Sequence, residues 1–110
     1  MSQRLAAAFA DVCAFDDLPN GGRVVFALAG KSVLCLRVNT EVLAVVNECT
    51  HLGHRLDGGR LIGDQLSCPS HGACFDLRSG RALSGPAVIP LTTLATRVEQ
   101  GRVLVALPAA

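Results

Sequence analysis

Charge is scarce in this chain. Only 17% of its 110 residues are Asp, Glu, Lys or Arg, and ten basic residues against nine acidic ones leave a formal net charge of +1. Such a balance lacks the basic field that nucleic acid or an anionic membrane surface would require. Half of the residues are apolar, so the shortage of charge does not signal disorder. Yet no apolar run approaches the roughly 20 residues that span a bilayer. The Leu5–Ala10 stretch, stopped at once by Asp11, is too short for a secretory core, and no twin-arginine pair precedes it, so a cytoplasmic protein is expected. A G-x-G-x-x-G fingerprint for a nicotinamide or flavin cofactor is also missing. Histidine occurs only at 51, 54 and 71. With no internal repeat or low-complexity linker, the length fits one domain, residues 1–110.

What is present reads as short strands between turns. Val12–Phe15 is a brief apolar stretch closed by the turn-rich Asp16–Gly22. Arg23–Ala29 and Ser32–Val38 are predicted strands with Gly30-Lys31 between them, and Asn39-Thr40 leads into Glu41–Val46. Near the other end, Leu91–Val98 and Arg102–Leu107 flank Glu99-Gln100-Gly101, a hairpin signal. The alanine content of the first ten residues allows a helical turn there. Between the two groups of strands the chain becomes glycine-rich, and Leu61-Ile62 and Gln65-Leu66-Ser67 are short strands around Gly63-Asp64. The expectation is an all-β barrel or sandwich carrying a small inserted subdomain, about residues 48–85.

That subdomain holds Cys49-Thr50-His51 and Cys68-Pro69-Ser70-His71, with sixteen residues between His51 and Cys68. Each box offers one thiolate and one imidazole in the same order, so two matching loops could clamp a centre that needs two sulfurs and two nitrogens. Mixed ligation of a [2Fe–2S] core uses two Cys and two His. The core carries a formal charge of about +2, and two thiolates with two neutral imidazoles leave it near zero. An electron enters a near-neutral centre in low dielectric more easily than a dianion, so imidazole ligation raises the potential. The alternative is a structural Cys2His2 zinc site, although zinc spacings usually pair Cys with Cys and His with His. Five cysteines in a cytosolic protein favour metal binding or buried thiols over a disulfide framework.

Cys49-Thr50-His51-Leu52-Gly53 and Cys68-Pro69-Ser70-His71-Gly72 closely resemble the paired boxes of the Rieske iron–sulfur family. Ala73-Cys74-Phe75-Asp76 with Gly80 resembles the family pattern after the second box, Gly85-Pro86 its proline-containing covering loop, and Asp17-Leu18-Pro19 its start. The resemblance implies a Rieske-type β-sandwich or barrel and a [2Fe–2S] cluster on Cys49, His51, Cys68 and His71. Respiratory members carry an additional, disulfide-linked Cys in each loop, where this chain has His54 and Ser70. They also place a Ser and a Tyr hydroxyl near the cluster sulfurs, where this chain has Ala73 and Phe75. Missing hydrogen bonds to a charged acceptor, worth about 1.5–3 kcal/mol each, imply a potential toward the negative end of the family's roughly −150 to +300 mV.

Several other residues carry expectations of their own. His54 reads as a solvated loop residue, Cys13 and Cys35 as buried thiols, and Cys74 as a packed structural residue. Arg55, Arg60, Arg78 and Arg81 are either a docking surface for an acidic partner or a solvated face. A catalytic mononuclear iron needs two more His and a carboxylate, and only His54 remains once His51 and His71 are used. The expected role is therefore a one-electron carrier with no catalytic residue. The resemblance points to the small ferredoxins of bacterial Rieske-type dioxygenase systems, which take electrons from an NADH-dependent flavoprotein reductase and pass them to a terminal oxygenase that hydroxylates aromatic rings. The small subunit of an NADH-dependent nitrite reductase is the alternative, although that subunit often lacks complete ligand pairs.

Overall fold

The β-branched runs pair as the two-residue connections dictate. In the computed structural model, which describes residues 8–50, 53–69, 72–84 and 89–107, eleven strands form three antiparallel sheets. The first sheet joins β1 (Phe9–Ala14), β11 (Arg102–Ala106) and β10 (Thr96–Glu99), in that order. The second has the order β2 (Arg23–Leu28), β3 (Lys31–Val38), β4 (Glu41–Val46), β9 (Thr93–Leu94). The third is a meander of β5 (Leu61–Ile62), β6 (Gln65–Ser67), β7 (Cys74–Asp76) and β8 (Ala82–Ser84). The only helical element among the described residues is a 3-10 turn, Phe15–Asp17.

The second sheet is the middle layer, and its sequence shows why. Along β3, Val33 and Cys35 enter one apolar group with Val42, Ala44, Val103 and Val105, toward the first sheet. Leu34 and Leu36 enter another with Val45, Leu56, Leu66, Phe75, Leu77 and Leu91, toward the third. Successive side chains of a strand point to opposite faces, so a strand covered on both sides must be apolar at every position, as Val33–Leu36 is. Burial of such a side chain contributes roughly 1.5–3 kcal/mol, which makes the middle sheet the mechanical base for whatever the third sheet carries. Arg78 fastens the two layers at the rim, with ion pairs to Glu41 at the start of β4 and to Asp64 in the β5–β6 turn.

Some elements depart from the sequence expectation. Phe9 and Ala10 lie in β1, not in a helical turn, because they pair with Ala106 and Val105; residues 1–7 lie outside the described residues. The β2–β3 turn is Ala29-Gly30, not Gly30-Lys31, with φ of 50° and 80°, the left-handed pair that a two-residue hairpin requires. The expected strand Leu91–Val98 is divided at Ala95: Thr93 and Leu94 pair with β4, whereas Thr96–Glu99 pair with β11. The chain changes sheets there, and Thr96 Oγ1 donates to the Val42 carbonyl at 2.7 Å across the step. Strands β7 and β8 are additions, since three-residue strands in glycine-rich sequence carry too few positions for an alternation to show.

Candidate metal centre

Cys49 and Cys68 begin two short loops that close in the same way. The Gly53 N–H donates to the Cys49 carbonyl at 2.7 Å, and the Cys49 N–H donates to the His54 carbonyl at 2.7 Å. In the second loop the Gly72 N–H donates to the Cys68 carbonyl at 3.0 Å, and the Cys68 N–H donates to the Ala73 carbonyl at 2.6 Å. Gly53 and Gly72 both have φ of 77°, a left-handed turn that costs a residue with Cβ roughly 1–2 kcal/mol. Two loops of equal closure, each opened by a cysteine, are what a centre clamped from two sides requires.

Both cysteines are 2% exposed and belong to the same apolar group, between the middle and third sheets. Two sulfurs set into one dry wall suit an iron–sulfur centre, whose potential depends on exclusion of solvent and on hydrogen bonds to the sulfurs. The donor types of the boxes, two thiols and two imidazoles, fit the same group. His51 and His71 themselves lie outside the described residues, as do Leu52, Ser70 and the Gly85-Pro86 segment of the expected covering loop. That segment's neighbour Ile89 is described, and its carbonyl accepts a hydrogen bond from Thr50 Oγ1 in the first box. Ala73 and Phe75 are fully buried immediately after the second box; neither side chain has a donor to offer.

The comparisons with known proteins agree with this geometry. Residues 8–95 match the Rieske [2Fe-2S] domain. The chain belongs to the Rieske family. A Rieske-type [2Fe–2S] cluster is accordingly its cofactor, and the zinc reading of the two boxes falls. The chain is 34% identical over 94 residues to the ferredoxin component of the naphthalene 1,2-dioxygenase/salicylate 5-hydroxylase systems of a Ralstonia species, covering 86% of this chain and 90% of that protein. Among solved structures, the ferredoxin of carbazole 1,9a-dioxygenase from Nocardioides aromaticivorans IC177 superposes with a TM-score of 0.88 at 29% identity, over 93% of this chain and all of that one. A chain from the complex of reduced oxygenase and oxidised ferredoxin in carbazole 1,9a-dioxygenase gives 0.87 at 30% identity, over 96% of this chain and all of that one. The Rieske ferredoxins therefore share this all-β architecture and nearly its whole length.

The remaining sequence candidates sort differently. Burial pushes the Cys35 thiol up to about 12, with Cys13 adding to the shift, and the Cys13 thiol is also raised, chiefly by burial. Both are protonated at neutral pH and pack as small apolar residues, Cys35 fully buried and Cys13 partly so. Cys74 is on β7, half-buried, with Sγ 3.8 Å from Gln65 Oε1. His54 is exposed, as expected, and its carbonyl closes the first loop. Two of the four arginines are engaged within the chain. Arg78 holds Glu41 and Asp64, which depresses the Glu41 carboxyl below its ordinary range, and Arg55 pairs with Asp57 at 2.9 Å. Sequence reasoning missed a further residue, Asn47, buried at the entrance to the first loop. Its partners lie 9 to 15 positions away, so no local pattern marks it.

Proposed function

We propose that this protein is a one-electron carrier whose [2Fe–2S] cluster is held by Cys49, His51, Cys68 and His71. The observation that carries this reading is the pair of identically closed loops with both cysteines in one buried wall. When bound, a cluster of this type accepts and returns a single electron at a potential set by its ligands and surroundings. The protein's own part is to hold and shield. Leu56, Leu66, Phe75, Leu77 and Leu91 surround the two cysteines and exclude water, which lowers the local dielectric. Ala73 and Phe75 withhold the hydroxyl donors that would favour the reduced state, so the potential lies low in the family range.

The donor is an NADH-dependent flavoprotein reductase and the acceptor a terminal Rieske non-haem iron oxygenase acting on aromatic rings. Support comes from relatives of nearly equal length that are named as ferredoxin components of such dioxygenase systems. We place the protein in the cytoplasm as one domain, with residues 48–85 as the cluster-binding subdomain; no helix among the described residues is long and apolar enough to cross a membrane. Anaerobic purification followed by iron and sulfide analysis and EPR of the dithionite-reduced protein tests the ligand set. A rhombic signal of low average g is expected, and the absence of such a signal in an iron-loaded protein would overturn mixed Cys/His ligation. Reduction by a flavoprotein reductase with NADH, then reoxidation by a terminal oxygenase in stopped flow, tests the role.

A further inference from the structure

Asn47 is the one buried polar or charged residue among those described, at 3% exposure. Both its amide hydrogens and its amide oxygen have partners. Oδ1 accepts from the Leu56 N–H at 2.8 Å, and Nδ2 donates to Ser32 Oγ at 3.2 Å and to Asp57 Oδ1 at 3.1 Å. The Asn47 N–H also donates to the Ser32 carbonyl at 2.8 Å. Asn47 precedes Cys49 by two positions, whereas Leu56 and Asp57 follow the His54 carbonyl that closes the loop. The amide thus spans the neck of the first loop, and Ser32 fixes that neck to β3. From β2, Arg23 Nη1 adds a second clamp, donating to the carbonyls of Asp57 and Gly59 at 2.9 and 2.8 Å.

The second loop has no comparable side-chain clamp among the described residues and needs none. It joins β6 to β7, and Ser67 and Cys74 are register partners on either side of it. The first loop connects β4 with β5, which belong to different sheets, so no ladder holds its two ends together. An apolar residue at 47 would strand the buried Leu56 N–H, and a carboxylate would face that of Asp57. The amide supplies both an acceptor and two donors at one point.

We propose that Asn47 is the positioning residue of the first ligand loop, keeping it in register with the second so that the cluster is retained. This rests on the assignment of Cys49 and His51 as ligands. Loss of the Asn47 amide leaves sheets and core in place but loosens one of the two jaws.

The test compares holoprotein variants Asn47→Ala and Asn47→Asp with Asn20→Ala. Asn20 makes a similar side-chain clamp, its Oδ1 accepting from the Asn39 N–H at 2.8 Å, but at the β3–β4 turn rather than at a ligand loop. Bleaching of the visible absorbance is followed under an iron chelator, at a temperature where far-UV circular dichroism is constant. Asn47→Ala should lose its cluster about tenfold faster than wild type, a barrier change of about 1.4 kcal/mol, with broadened EPR lines. Asn20→Ala should match wild type. Equal rates for Asn47→Ala and Asn20→Ala, or bleaching that coincides with loss of β-structure, overturn the proposal. Should the Asn47 variants fail to fold, Ser32→Ala removes one bond at an exposed position and must still accelerate bleaching; an unchanged rate overturns it. Cys49→Ser reports separately on the ligand assignment, because a wild-type cluster in that variant would sink the assignment whatever the Asn47 rates are.

Discussion

Around Cys68 the chain leaves β6, turns and re-enters the same sheet as β7, so the ladder that forms the sheet also forms the base of the loop. Around Cys49 it leaves β4 in the middle sheet and reaches β5 in the third, with fourteen residues between the strands. The backbone closures of the two loops are alike, but one neck is held by paired strands and the other by Asn47, Asp57, Arg23 and the close approach of Gly59. Equal backbone closure does not require equal anchoring. A hairpin fixes its loop through local pairing, whereas a connection between layers depends on side chains brought together by the tertiary fold. The first loop is therefore the one that distant substitutions can loosen.

The largest expected effect tests the equality of the loops as ligand donors. Cys49→Ser and Cys68→Ser should each abolish the cluster, leaving colourless protein without stoichiometric iron or sulfide. Full iron content in either variant would falsify the ligand set. Next is the difference between the necks. At Gly59 a Cβ would overlap the Ser67 carbonyl oxygen and sit 3.1 Å from that of Leu56, both backbone atoms that cannot rotate away. Gly59→Ala should destabilise by about 3 kcal/mol in urea titration. Gly72→Ala meets nothing within 4 Å and should cost only the left-handed turn, about 1–2 kcal/mol. Equal costs would mean that the first neck tolerates more than its geometry suggests.

The third effect belongs to the second loop alone. Ala73→Ser with Phe75→Tyr brings two hydroxyls to fully buried positions after the second box, and the midpoint should rise by about 130–260 mV, from two hydrogen bonds of about 1.5–3 kcal/mol each at about 59 mV per tenfold change. An unchanged or lowered midpoint in voltammetry would overturn the proposal that missing hydroxyl donors hold the potential low. The smallest effect belongs to the first neck. Hydrogen bonds from Arg55 and then Asn47 depress the Asp57 carboxyl below its ordinary value. A depressed folded-state value contributes stability that is present above the unfolded value near pH 4 and is lost as pH falls through the folded one. Asp57→Asn should therefore weaken the loss of stability below pH 4, only slightly because the ion pair is largely exposed; a series of denaturant titrations between pH 2 and pH 6 measures it.

Much of this was legible along the chain. The two boxes mark the family by residue type, order and spacing, and the match of residues 8–95 to the Rieske domain bears that reading out. Hairpins such as β3–β4 are visible because a two-residue turn and alternating strands are local signals. The break at Ala95 is not, since Leu91–Val98 reads as one β-rich run and only competition between β4 and β11 for partners divides it. Arg78 likewise reads as an open surface charge until the fold brings Glu41 and Asp64 to it.

The amino-acid sequence by itself determined the cofactor chemistry, the all-β class and the lack of a hydroxyl at positions 73 and 75 after the second box. These follow from side-chain types at fixed short separations. Only the tertiary structure decided which sheet lies in the middle, how each loop is anchored, and that Asn47 spans the first neck. Those features depend on contacts between residues far apart in the chain, whose free energy is realised only when three sheets stack and the apolar faces of β3 are covered on both sides.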